Sequence, residues 1–67
     1  MTTLAEELPA QQARCREVLR HAIAIGPPGA FLAAMLRQSL ARAEQAAAGG
    51  DVGAMIRAVR DLRSYYA

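Results

Sequence analysis

The sequence predicts an all-α fold, a small antiparallel three-helix bundle with helices over about 9–25, 28–48 and 52–65. Apolar residues recur at helical spacing within each of these three segments. Two breakers, GPPG at 26–29 and GGD at 49–51, separate the segments, and no alternating strand pattern interrupts them. A chain of 67 residues can form only a marginal core, so regular helix packing or self-association must supply the stability.

The start of helix one has two alternatives. Proline suits a first helical position and damages a helix interior, so a start at Pro9 after a loosely ordered lead over 1–8 is favoured. The residues Thr3 to Glu6 match a capping box, which would start the helix earlier. Glu17 can pair with Arg20 or His21 on the polar side. The predicted apolar face consists of Cys15, Val18, Leu19, Ala22, Ile23 and Ile25.

Helices two and three carry the remaining core of a single domain over 9–67. Asp51 after the Gly-Gly pair is a strong N-cap for helix three, in which Arg57 can pair with Asp61. Phe31 and Met35 lie at the edge of the wide apolar arc of helix two. That arc contains Leu32, Leu36, Ser39, Leu40, Ala43 and Ala47, and the face of helix three contains Val52, Met55, Ile56, Val59, Leu62 and Tyr66.

Composition excludes several classes of protein. The N-terminal residues lack the charged and apolar regions of a signal peptide, and no run reaches the roughly 18 apolar residues of a membrane span. We therefore expect a cytoplasmic protein without membrane contact. A single cysteine and a single histidine permit neither an internal disulfide nor a structural zinc site. No metal, cofactor or small-molecule substrate is evident.

A set of short motifs suggests a family. Ile25-Gly26-Pro27, Gly29, Phe31, Met35-Leu36-Arg37, Leu40, Gly50-Asp51, Met55-Ile56 and Leu62 together resemble short uncharacterised proteins encoded in prophage regions of proteobacteria. The resemblance covers roughly residues 17–64. It implies a phage-accessory context but no functional residue, because that group has no assigned activity. The sequence departs from the group at Val59, where an aromatic residue is more usual.

The candidates for a catalytic site are few. His21, Cys15, Glu17 and Ser39 are the residues with suitable chemistry. His21 falls on the polar arc of helix one and Cys15 on the apolar arc, so they cannot form a nucleophile–base pair within that helix. We therefore predict no catalytic residue and do not expect an enzyme.

A nucleic-acid-associated regulator is the alternative function. Arg57 and Arg60 give helix three a candidate basic surface. Against this, the net charge is only +2, and acidic residues dilute the positive field that would attract phosphates. Nucleic-acid binding is therefore the less favoured hypothesis.

A protein–protein interaction module is the favoured function. Phe31, Met35, Tyr65 and Tyr66 are apolar or amphipathic groups that a thin three-helix core does not fully absorb. Methionine and tyrosine are enriched at protein interfaces. We expect Tyr66 to continue the core face and Tyr65 to point further out. The partner is either a second copy of the chain, as a homodimer, or another protein, and the sequence does not choose between them.

Overall fold

The computed structural model describes residues 3–65 and consists of three mutually packed α-helices. They are α1 (Leu4–Ile25), α2 (Ala30–Gly49) and α3 (Val52–Arg63), with a 3₁₀ turn at Pro27–Gly29 between α1 and α2. Each helix contacts both of the others. The predicted all-α three-helix bundle is confirmed.

The predicted start of helix one at Pro9 is wrong, because α1 begins at Leu4. The side chain of Thr3 caps the helix by accepting a hydrogen bond from the backbone N–H of Glu6. Of the lead expected over residues 1–8, residues 4–8 are thus helical and Thr3 is the N-cap, while residues 1 and 2 lie outside the described part. Leu8 is buried in the core and Leu4 packs against it, and this burial offsets the hydrogen bond that Pro9 removes inside the helix.

The turns between the helices lie at the two breaker sequences, GPPG at 26–29 and GGD at 49–51. Gly26 has φ +85°, and its N–H donates to the carbonyl oxygen of Ile23. Gly50 has φ +68°, and Asp51 caps α3 by accepting from the N–H of Ala54 at 3.3 Å. Positive φ is readily adopted only by glycine, which explains why both helices end where the sequence predicts.

The core is made largely of small and medium side chains. Among the buried residues, Leu36 and Leu62 are fully enclosed, and Ser39 is buried beside them. Helices bearing alanine at their contact positions can approach closely, which compensates for the absence of a thick aromatic core. The buried cluster comprises Leu8, Cys15, Val18, Leu36, Leu40, Ala43, Ala46, Ala58, Val59 and Leu62.

The buried faces differ from the predicted ones near the helix ends. Ile23 and Ile25 are exposed although they were assigned to the core face of helix one. In α2, Ala33 is buried and Leu32 is partly exposed. Ala46 is likewise buried in place of the predicted Ala47.

The same correction applies to α3. Val52 and Ile56 are exposed, and Ala58 takes their place in the core beside Val59 and Leu62. Periodicity defines an arc on each helix, but the neighbouring helices cover only the part of that arc that they reach. The predicted core member Tyr66 lies outside the described residues.

Salt bridges connect each pair of helices. Arg16 of α1 pairs with Glu44 of α2 at 3.7 Å, and Arg42 of α2 pairs with Asp61 of α3 at 3.4 Å. Arg63 of α3 pairs with Glu7 of α1 at 3.9 Å. The side chains are mostly exposed, so each pair contributes at most about 1 kcal/mol and mainly favours one register of the bundle.

Candidate functional site

The third helix is too short to cover the other two. With a rise of about 1.5 Å per residue, α2 is about 30 Å long and α3 only about 18 Å. Since α3 starts at the Gly50 turn, it runs back along α2 only as far as Ser39, whose Oγ lies 2.8 Å from the hydroxyl oxygen of Tyr65. The first nine residues of α2, 30–38, therefore extend past the end of α3.

Apolar side chains of α2 continue the α3-facing side into this uncovered region. Met35 and Leu32 precede Ser39 by four and seven residues, and helical spacing places them on the same side. Phe31 lies one turn before Met35. Phe31 is 78% exposed, Met35 is 41% exposed and Leu32 is 36% exposed.

The end of α1 adds one residue to the same side. Arg14 and Cys15 of α1 bond to the end of α3, which identifies the side of α1 that faces it. Ile25 follows Arg14 by eleven residues, or three helical turns, and is 62% exposed. We call Ile25, Phe31, Leu32 and Met35 the tip patch, because they flank the turn at one end of the bundle.

Close helix contact holds the turn in place. Gly29 is buried, and a Cβ atom at this position would overlap with the backbone carbonyl of Ala22. The N–H of Gly29 donates to the carbonyl oxygen of Gly26 at 2.8 Å. The turn that joins the two helices of the tip patch thus lies directly against the backbone of α1.

The tip patch is also uncharged. Between Arg20 and Arg37, residues 21–36 contain no Asp, Glu, Lys or Arg. Exposed apolar groups on one side of a surface without charged residues are typical of protein contact sites. The chemistry available here is apolar contact, with no group suited to proton transfer or nucleophilic attack.

The structure places two of the four predicted interface residues on the surface of the tip patch. Phe31 and Met35 are exposed members of the tip patch. Tyr65 was expected to point outward, but it packs against the core and its hydroxyl bonds with Ser39. Tyr66 lies outside the described residues. Ile25 and Leu32 were missed as surface residues, and the one available signal was that the third helical segment is much shorter than the second.

The residues with catalytic chemistry are not brought together. Cys15 is fully buried, and its thiol donates to the carbonyl oxygen of Leu62 at 3.3 Å, whereas His21 is exposed. Burial raises the pKa of the Cys15 thiol, the Arg14 guanidinium lowers it, and Asp61 raises it further. A buried thiol that resists ionisation is a poor nucleophile.

Ser39 and Glu17 also have structural partners. Ser39 Oγ bonds with the Tyr65 hydroxyl and accepts from Arg42 Nη2 at 3.2 Å. Glu17 forms the predicted pair with Arg20 at 3.2 Å. Among residues 3–65, no three His, Cys, Asp or Glu side chains lie close enough together to hold a metal ion.

Acidic side chains offset the positive charge of the arginines on α3. Arg57 and Arg60 are exposed, as predicted from their positions. Asp61 pairs with Arg42 of α2, so the predicted pairing of Arg57 with Asp61 is replaced by a contact between helices. An open groove of about 590 Å³ between α2 and α3 is lined by two arginines and two aspartates whose formal charges cancel. This groove offers no excess positive charge for a phosphate backbone.

Comparisons with known proteins identify no relative. The chain matches no family model, and no curated protein or solved structure is significantly similar to it. Within residues 3–65, no helix combines the length and apolar character that crossing a membrane would require.

Proposed function

We infer that this protein is a non-catalytic protein–protein interaction module that contacts its partner through the tip patch. The observation that carries this conclusion is the exposure of Phe31, which is 78% open to solvent on an ordered helix. Burying a phenylalanine side chain contributes about 1.5–3 kcal/mol. Binding of a partner that covers Phe31 is favoured by this free energy. Folding of the bundle is not, because the side chain stays exposed.

The surroundings of Phe31 support the same conclusion. Leu32 and Met35 extend the apolar surface along one helix, and Ile25 extends it across the turn. These side chains lie on or beside two helices that pack against each other, so little backbone entropy is lost when a partner binds. Methionine adapts its shape to a partner surface more easily than branched residues do.

The absence of catalysis is part of this proposal. The buried state of Cys15 and the exposed position of His21 speak against a nucleophile–base pair. A cytoplasmic location and a phage-accessory context, as an adaptor or an inhibitor of a host factor, belong to the proposal as well. They rest on composition and on the resemblance to prophage-encoded proteins.

A nucleic-acid-associated regulator remains the alternative, and a simple experiment distinguishes it. The exposed Arg57 and Arg60 are its support. Under this alternative, the wild-type protein is retained by DNA in a salt-sensitive manner, and Arg57→Glu with Arg60→Glu abolishes the retention. Absence of salt-sensitive retention of the wild type would exclude it.

Photocrosslinking tests the proposed function. In one variant, the photoreactive residue benzoylphenylalanine replaces Phe31. In the matched control variant, the same residue replaces Val52. Both variants are produced in cells of the organism that carries the gene. Val52 is 60% exposed and lies at the start of α3, away from the tip patch. We expect protein adducts, with a second copy or with another protein, from position 31 and far fewer from position 52. Equal yields at both positions, or no adduct from position 31, would contradict the proposal.

A further inference from the structure

We propose that α3 opens as a unit, by rotating about the Gly49–Gly50 turn while α1 and α2 stay packed together, and that polar contacts at its C-terminal end hold it closed. Openings of part of a fold, at a lower free energy than global unfolding, are general in proteins. Three features of the structure single out α3: the turn that precedes it, the position of its polar contacts and the small number of its buried side chains. The opening is a property of the chain alone and needs no partner at the tip patch.

The turn before α2 is fixed, whereas the turn before α3 is open. At the first, two successive prolines restrict the backbone, and Gly29 lies directly against the backbone carbonyl of Ala22. At the second, a Cβ atom on either residue of Gly49–Gly50 would meet no packed neighbour within 4 Å in the described part of the chain. Glycine also has the widest choice of backbone conformations. The direction of α3 can therefore change at this turn without the loss of a close contact there.

The polar contacts that hold α3 lie at the end farthest from the Gly49–Gly50 turn. Arg14 of α1 donates to the carbonyl oxygens of Leu62 and Tyr65, both at 2.7 Å. The Tyr65 hydroxyl lies 2.8 Å from Oγ of Ser39 in α2. We call the contacts made by Arg14, Ser39 and Tyr65 the latch. Contacts at the far end of a helix oppose its rotation about the near end, so the latch keeps α3 closed.

Few side chains of α3 are fully enclosed in the core. The buried residues of α3 are Ala58, Val59 and Leu62, all in its second half. Ala54 and Met55, in the first half, are only partly buried. The longer helices α1 and α2 contact each other more extensively than either contacts α3. Of the three helices, α3 is therefore the one that separates most easily from the other two.

Opening of α3 uncovers Cys15. The Cys15 thiol is fully buried and donates to the carbonyl oxygen of Leu62 at 3.3 Å, so α3 lies directly over it. Cys15 is the only cysteine of the chain. A thiol reagent can reach it only after α3 has moved away, and the rate of its reaction therefore reports the opening.

Labelling of Cys15 with the thiol reagent dithiobis(nitrobenzoate) at increasing urea concentrations tests the opening. At low urea the rate should exceed, by at least about tenfold, the rate expected from global unfolding as measured by circular dichroism. The rate should also depend only weakly on urea there, because opening exposes less surface than complete unfolding does. A rate equal to that expected from global unfolding at every urea concentration would overturn the inference.

Two substitutions distinguish the latch from the rest of the fold. Tyr65→Phe removes the hydroxyl that meets Ser39 and keeps the ring, so labelling at low urea should become about threefold to tenfold faster. Pro9→Ala strengthens α1, which is helical in both the closed and the opened state. Global unfolding of that variant should therefore require more urea, while its labelling rate at low urea stays that of the wild type. Unchanged labelling of Tyr65→Phe, or labelling of Pro9→Ala that slows in step with global unfolding, would contradict the role of the latch.

Native-state hydrogen exchange locates the opening. The backbone amide of Val59 in α3 should exchange at least about tenfold faster, after correction for intrinsic rates, than those of Val18 in α1 and Leu36 in α2. Tyr65→Phe should accelerate exchange of Val59 at low urea by the same factor as the labelling of Cys15. Equal protection of the three amides would show that the helices open only together and would overturn the inference.

Discussion

The guanidinium of Arg14 donates from Nη2 to the carbonyl oxygen of Leu62 at 2.7 Å. Its Nη1 atom donates to the carbonyl oxygen of Tyr65, also at 2.7 Å. These carbonyls belong to the last turn of α3 and to the second residue beyond it, at the end of the helix that carries a partial negative charge. A side chain of α1 thus caps α3 and ties the C-terminal end of the short helix to the rest of the bundle.

Arg14→Met should lower the free energy of unfolding by about 2–3 kcal/mol, because the two charge-assisted hydrogen bonds to the end of α3 and the one to Gln11 Oε1 are lost while the aliphatic stem is kept. Urea denaturation followed by circular dichroism measures the change. Arg20→Met is the control, since it removes only the exposed pair with Glu17 and should cost a few tenths of a kcal/mol. Equal effects of the two substitutions would contradict the capping role of Arg14.

Gly29→Ala should destabilise the protein by about 2 kcal/mol or more, because its Cβ atom would overlap with the backbone carbonyl of Ala22 and push the turn before α2 away from α1. Gly49→Ala is the matched control at the other end of α2. A Cβ atom at Gly49 meets no neighbouring atom, so this substitution should raise the free energy of unfolding by about 0.5–1 kcal/mol. Opposite signs in thermal or urea unfolding would confirm the close contact at Gly29.

Pro9→Ala should raise the free energy of unfolding by about 1–2 kcal/mol. Pro9 is exposed within α1, and alanine restores the N–H that can donate to the carbonyl of Ala5. Pro28→Ala, in the 3₁₀ turn, should give no such gain. If α1 started at Pro9, proline would suit that position and its replacement would be neutral or unfavourable, so urea unfolding distinguishes the two helix starts.

The stability of the protein should decrease as pH rises above 9.0, the ordinary pKa of a cysteine thiol. Burial raises the pKa of Cys15 in the folded state, so the folded state retains a proton that the unfolded state releases, and unfolding becomes easier. Urea unfolding at several pH values should show a steeper decline for the wild type than for Cys15→Ala. Parallel declines would show that Cys15 is not protected from ionisation in the folded protein.

The helices and turns could be predicted from the sequence because their signals are local. Glycine at 26 and 50 supplies the positive φ that ends each helix, and Asp51 caps the helix that follows. The start of α1 was mispredicted because two local signals conflict there. The Thr3 cap and the burial of Leu8 outweigh the penalty of Pro9, and the second of these depends on tertiary packing.

The candidate site was predicted in part. Phe31 and Met35 were identified as surplus to the core because they lie at the edge of a wide apolar arc. Tyr65 was misjudged, since its hydroxyl meets the buried Ser39 of a distant segment. Ile25 was assigned to the core because periodicity shows only that a residue is on the apolar arc.

The sequence by itself determined the number of helices, their approximate limits except for the start of α1, and the absence of Asp, Glu, Lys and Arg from residues 21–36. These properties depend on neighbours within a few residues, where backbone preferences and capping act. The tertiary structure alone decided which apolar residues are covered. Coverage depends on how far α3 reaches along α1 and α2, and that is fixed where Arg14 bonds to Leu62 and Ser39 meets Tyr65. Such contacts join residues that are far apart in the chain, so no local pattern specifies them.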